Sequence, residues 1–330
     1  MVPLRHLSAT EVATAMPPLT ERLDLADRAM RALGRDAEMP PKIGIHPREP
    51  GSLAHAMPAL LRGAAADGSS DLIGAKWITG FPGNPAAGLP AYHALVLLND
   101  PMTGEPTAVM DAAAITAQRT AAVSGTAIRH LLPGGTARSG DPARVAVLGA
   151  GVQARSHIPV IGHLLPRARV RIIDVERGRA GALAQEASTV DGISEVVAVA
   201  SVREAVEGAD LVVSLVSFGP DRQALDPAWL SPNVLFVAVD YDMQAPASLA
   251  REALFIVDER GQFLAARSGP VFAGYPDPAV TLGEVLRDGL ARPAGRILVS
   301  HLGVGLADVV FASAILKRAE RLGLGRILTG

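Results

Sequence analysis

Residues Arg144 to Gln153 read RVAVLGAGVQ and are followed by Ala154. Gly149, Gly151 and Ala154 form a G-x-G-x-x-A turn directly after the apolar run Val145 to Leu148. That spacing serves pyrophosphate binding. The first glycine makes a tight turn, the second lets phosphate approach the backbone, and the small third residue lets the helix pack on the strand. Gly149, Ala150, Gly151, Val152 and Gln153 are the expected phosphate-binding residues, because a helix N-terminus offers N–H groups and a favourable dipole to an anion. Glycine-rich turns also occur without nucleotides, so the context decides. A second apolar strand, Val170 to Ile173, ends in Asp174, the spacing of the acid that binds a ribose 2′-hydroxyl. A carboxylate there repels a 2′-phosphate, so NAD(H) is expected over NADP(H), with Arg177 and Arg179 as the counter-signal. Val216 and Ser217, after a later strand, are also expected at the cofactor.

The elements that must position this turn alternate. Strand 144–148, a helix from 152, strand 169–173, helix 178–188 and a strand near 195–200 are followed by helix 202–207 and strands 210–216, 234–239 and 254–257. The alternation predicts a doubly wound parallel sheet of Rossmann type. Pro159 predicts a kink or early end in the first helix. The residues before 125 read differently. Two short helices over 8–34, the first capped by Ser8 with Glu11 in the capping-box position, lead to candidate strands at 52–60, 72–79, 90–98 and 107–110, with a loop at 64–70. Consecutive strands predict a smaller α+β domain with an antiparallel or mixed sheet. A small-residue helix, 112–132, and a Gly/Pro-rich connection, 133–142, lead into the nucleotide domain. A tail helix, about 308–322, is expected to return to the first domain. The expected domains are 1–125 with 305–330, for substrate binding and dimerisation, and 126–304, for NAD.

The bulk numbers exclude several classes. The 330 residues are 49% hydrophobic and 19% charged, with a net charge of −2. That charge gives no electrostatic case for nucleic acid or an anionic membrane. Cysteine is absent, which removes disulfides and thiolate chemistry. The eight histidines are scattered without a helical His-x-x-x-His pair, so no metal site is expected. No apolar run is long enough to span a bilayer, and a cytoplasmic enzyme is the expectation.

Several collinear strings then point one way: Ala75-Lys76-Trp77 with FPGNPAAGLP, TGEPTAVMD, ITAQRTAAVSG, VLGAGVQARSH and LGVGLADVV. Together they resemble the ornithine cyclodeaminase/mu-crystallin family over nearly the whole chain. The resemblance implies a substrate domain that also forms a homodimer, a Rossmann domain holding a nicotinamide cofactor, and an active site in the cleft between them. It places Arg119 as the clamp on a substrate carboxylate, Lys76 beside that carboxylate and the reacting carbon, and Thr120 near the pyrophosphate. It aligns Asp242 with the catalytic aspartate of ornithine cyclodeaminases, with Asp240 as the competing position.

Three departures bear on specificity. Lys42 stands where members often carry arginine, keeping the charge and losing the bidentate fork. His55 stands where ornithine cyclodeaminases place a glutamate near the distal amine. Ser300 and His301 replace a common Lys-Ser, so His301 either faces the substrate or caps the tail helix. The expected function is an NAD(H)-dependent oxidoreductase interconverting a small amino acid and its imino acid by hydride transfer at the α-carbon. Ornithine cyclodeaminase, and a non-catalytic NAD(P)H- or small-molecule-binding protein like mu-crystallin, are the alternatives.

Overall fold

The structure, a computed structural model, describes residues 4–49, 51–64, 70–132, 141–219 and 221–328. The expected loops at 64–70 and 133–142 fall largely outside the described residues. The chain divides into two compact units: residues up to Arg119 with those from Gly303 onward, and Thr120–Leu302. One division falls inside the helix Ala113–Leu131, the other just before the helix Gly305–Arg321.

The first unit is built on an eight-stranded mixed sheet. Its order is Arg326–Leu328, Leu4–Leu7, Pro106–Asp111, Tyr92–Asn99, Leu72–Gly80, Leu53–Leu61 and Ala37–Glu38, with Ile43–Ile45 also paired to Leu53–Leu61. Leu4–Leu7 runs parallel to Pro106–Asp111, and the other pairings are antiparallel. Strand alternation sorts the side chains. Met57, Ala59 and Leu61 lie buried on one face, while Ile73 and Trp77 on the neighbouring strand point to the other and stay exposed. The helix Gly305–Arg321 packs on the buried face. Gly305 makes this close approach possible, since a Cβ there would lie 2.6 Å from the Met57 carbonyl oxygen.

The second unit is a wholly parallel eight-stranded sheet. Its order is Ile193–Ala198, Ala168–Ile173, Arg144–Leu148, Leu211–Ser214, Leu235–Ala238, Ile297–Ser300, Leu254–Val257 and Val280–Thr281. The four central strands are buried at every residue after Arg144, as helices on both faces of a parallel sheet require. The first helix runs unbroken over Val152–Leu164, so Pro159 does not end it early. Ile158, Val160 and Ile161 around the proline are buried, and that packing outweighs a local cost of about 3 kcal/mol.

Candidate active site

In the first unit, the strand Leu72–Gly80 turns Lys76 onto the face covered by the helix Gly305–Arg321, where the ammonium is 1% exposed. Its Nζ lies 2.7 Å from Oδ2 of Asp308, in the first turn of that helix. Arg119, in the helix Ala113–Leu131, donates from Nε to the other carboxylate oxygen at 2.9 Å. Two buried cations thus share one buried acid. Desolvation, and secondarily the Arg119 guanidinium, lower the Lys76 pKa to about 7 against the pull of Asp308. Nη1 of Arg119 is buried and has no hydrogen-bond partner among the described residues. A buried, unmatched guanidinium nitrogen is costly, and a ligand carboxylate is the group that would satisfy it.

His55 shares the face of Lys76. It is two residues from Met57, which pairs with Lys76 across the strands, and its imidazole overlies Gly44 on the Ile43–Ile45 strand. Burial, with the positive charges of Lys42, His46 and Lys76, lowers the His55 pKa to about 4. His55 is therefore a neutral imidazole in a cationic neighbourhood.

In the second unit, the glycine turn has the geometry its sequence demands. Gly149 has φ +102°, and a Cβ there would lie 2.7 Å from the Leu215 carbonyl oxygen on the next strand's exit loop. Gly151 is the N-cap of the helix Val152–Leu164 without a side-chain cap, which leaves the helix N-terminus to an anion. Asp174 closes the turn from the side. Oδ2 accepts from the Ala150 N–H at 2.7 Å and Oδ1 from the Glu176 N–H at 2.9 Å. Each oxygen keeps a second lone pair, the capacity a ribose diol needs. Arg179 stands 3.8 Å from Asp174.

Beyond the strand Leu235–Ala238 the two aspartates part company. Asp240 is buried. Its Oδ2 accepts from the Ser214 hydroxyl and from the Val216 N–H at 3.2 Å, while Oδ1 has no partner among the described residues. Desolvation raises its pKa to about 7. Asp242 is buried too but fully engaged, with Oδ1 2.7 Å from Arg222 Nη1 and Oδ2 accepting from the Phe272 N–H at 2.7 Å. Its carbonyl accepts from Gln223 N–H at 2.9 Å. Tyr241, Gln223 and Phe272 all have positive φ, near 60°, and Tyr241 stacks on Phe272 with centroids 5.6 Å apart. Three strained backbone positions converge on the Asp242 pairings.

A sequence profile of the ornithine cyclodeaminase/mu-crystallin family matches residues 6–322. The chain belongs to that family. It is 33% identical to the nodulation efficiency protein NfeD of Rhizobium meliloti, over 100% of this chain and 99% of that protein. It is 34% identical to the ketimine reductase mu-crystallin of Mus musculus, over 75% of this chain and 76% of that one. The fold matches that of Thermococcus litoralis Δ1-pyrroline-2-carboxylate reductase, solved with NADH and L-proline. The TM-score is 0.84 at 24% identity, covering 98% of this chain and 100% of that one.

Within this family member, the remaining expected residues fall as follows. Thr120 is buried in its helix next to Arg119. The Val216 amide is engaged by Asp240, and Ser217 is exposed. Lys42 precedes the Ile43–Ile45 strand, close enough to depress both Lys76 and His55. His301 follows the strand Ile297–Ser300, and its Nε2 lies 2.8 Å from the Ser124 hydroxyl. Sequence reasoning assigned no role to Asp308, Ser124, His157 or Arg222. Asp308 had a usable signal: a lone acid among Leu306, Val309, Val310 and Phe311 on an apolar helix, which must be paired if buried.

Proposed function

We propose that the chain is an NAD(H)-dependent oxidoreductase that interconverts a small amino acid and its imino acid. The reaction balances as amino acid plus NAD⁺ giving imino acid, NADH and a proton. The observation that carries the reading is the buried, unmatched Nη1 of Arg119 beside the Lys76–Asp308 pair.

The residues of the second unit fit a dinucleotide: a glycine turn packed too tightly for a side chain, an uncapped helix N-terminus and an acid beside it. When bound, the nicotinamide accepts or delivers hydride at the substrate α-carbon. Asp174 favours NAD(H), since its carboxylate would repel a 2′-phosphate. Arg119 and Lys76 hold the substrate carboxylate, and Asp308 fixes the direction of both donors. Lys76, near neutrality in the free protein, gains its proton fully as the carboxylate arrives. Asp240, with its unmatched Oδ1, is the acid–base candidate, because a carboxyl poised near 7 can both take and give a proton at neutral pH. Asp242, bound by Arg222 and the Phe272 amide, holds the loop in which Asp240 lies. This reading moves the acid–base role from the expected Asp242 to its competitor.

The outer face of the first unit's sheet supports a homodimer. Ile43, Trp77 and Leu95, each 45% exposed or more, lie with Ala56 in one row across four strands, and a contiguous apolar patch of this kind marks an interface. No helix among the described residues is long and apolar enough to cross a membrane.

The test is turnover of NADH with cyclic and acyclic α-imino acids, and of NAD with the matching amino acids. Ornithine with a trace of NAD is run alongside. Proline and ammonia without net NADH would make the protein a cyclodeaminase, a reading that the neutral, cation-flanked His55 disfavours for a diamine. NADH binding without turnover on the whole panel would leave a binding protein.

A further inference from the structure

Helix Ala113–Leu131, helix Val152–Leu164 and the end of strand Ile297–Ser300 meet at three buried side chains of the second unit. Ser124 is 0% exposed, His157 0% and His301 1%. The Ser124 hydroxyl lies 2.8 Å from Nε2 of His157 and 2.8 Å from Nε2 of His301. Nδ1 of His157 lies 2.7 Å from the Gln153 carbonyl oxygen.

With both rings neutral, these contacts have only one proton arrangement. A carbonyl oxygen carries no proton, so His157 must donate from Nδ1. Full burial lowers the His157 pKa to about 4, so near neutral pH that ring holds one proton and its Nε2 is an acceptor. The Ser124 proton must therefore point at His157. The hydroxyl has no second proton to offer, so His301 must donate to it from Nε2.

We propose that Ser124 and His157 are positioning residues that hold His301 in its Nε2–H tautomer, making Nδ1 the acceptor edge of that ring. The inference rests on the oxidoreductase reading for its consequence. The backbone N–H of His301 donates to the Ala238 carbonyl at 3.1 Å, which puts the residue at the carboxyl edge of the parallel sheet, beside the strand that leads to Asp240. Ligands of such sheets bind beyond that edge. In that tautomer the Nδ1 of His301 carries a lone pair and is a hydrogen-bond acceptor. The chain is a lock and not a proton wire, because passing a proton inward would create a buried imidazolium at His157.

Two-bond nitrogen–proton correlation spectra of histidine-labelled full-length protein decide the tautomers without any assay of turnover. The expected result is opposite tautomers, Nδ1–H for His157 and Nε2–H for His301. Ser124→Ala should spread His301 over both forms and lower kcat about tenfold or more with the melting temperature held. Ser124→Thr, which keeps the hydroxyl, should restore the pattern. His301 protonated at Nδ1 in the wild type, or unmoved by Ser124→Ala, overturns the proposal. Should Ser124→Ala fail to fold, the wild-type and Ser124→Thr spectra still decide it. Absence of turnover in the wild type would remove the oxidoreductase reading and leave the tautomer result standing on its own.

Discussion

Replacing Lys76 by methionine should stabilise the protein at pH 6, destabilise it at pH 10 and abolish turnover at both. The sign follows from where the proton goes. The unfolded chain keeps the Lys76 proton up to its ordinary 10.5, whereas burial releases it in the fold at about 7. Below pH 7 the folded protein therefore carries a penalty of at most about 5 kcal/mol, at 1.36 kcal/mol per unit. From 7 to 10.5 that penalty declines and then vanishes. Methionine has nearly the same length and no charge, so it removes the penalty. It also removes the 2.7 Å contact to Asp308, a loss of about 1.5–3 kcal/mol for a hydrogen bond to a charged group. The balance at pH 6 is a gain of about 2–3 kcal/mol, and near pH 10 the lost contact dominates. Urea unfolding at pH 6, 8 and 10, followed in parallel for both proteins, measures the gap. Turnover falls because Arg119 alone must hold the carboxylate. A gap that does not change with pH, or a variant less stable at pH 6, would refute the assignment of Lys76 as a buried cation waiting for an anion.

The other expectations are shorter. Asp240→Asn should match the wild type in stability at pH 4 and exceed it above pH 7 by at most about 4 kcal/mol. The fold raises this carboxyl from 3.8 to about 7, and stability is lost as pH climbs through that value. The same variant should lose turnover, measured as kcat, while keeping NADH affinity by fluorescence titration. Asp242→Asn should instead cost about 3–5 kcal/mol in urea unfolding, because it strands the Arg222 partner in a half-buried pair. Asp174→Ala should weaken NADH binding and narrow its lead over NADPH, read by titrating both, since the acid beside the Gly149 turn is gone while Arg179 stays. Trp77→Glu should turn a dimer into a monomer in analytical ultracentrifugation without changing the far-UV spectrum, because the indole is 45% exposed on the outer sheet face.

The strongest sequence signals were local and periodic. The glycine turn, the apolar central strands and the Ser8–Glu11 capping box all appear as read, the last with both reciprocal bonds present. Each is fixed by neighbours a few residues away, so a short window holds the information. The first unit's edges were harder. Leu4–Leu7 and Arg326–Leu328 pair with each other across almost the full length of the chain, and neither three- or four-residue segment has a periodicity of its own. The late elements between 260 and 300, including the strand Ile297–Ser300, were likewise passed over. That strand is three apolar residues and a serine, which cannot be told from a helix fragment without its neighbours.

The charged groups divide along the same line, and the division explains why the candidate site was half legible. Lys76 and Arg119 were placed by the family resemblance of the motifs that carry them, with the apolar flanks of Lys76 as a second signal. What they touch could not be read, because Asp308 lies 189 residues from Arg119 and joins it only once the tail helix lies on the sheet. Between Asp240 and Asp242, two residues apart, the family resemblance favours Asp242 and keeps Asp240 as the competitor. In the structure Arg222 and the Phe272 amide arrive from other segments and bind only the second acid. The first is left with a serine, one amide and a buried oxygen without a partner. An acid held in a complete set of charge-assisted bonds is a structural element, whereas one left short of partners in a dry place can trade a proton. The distinction between them is therefore a property of which distant segments reach each carboxylate, and the proposed transfer of the acid–base role from Asp242 to Asp240 rests on it.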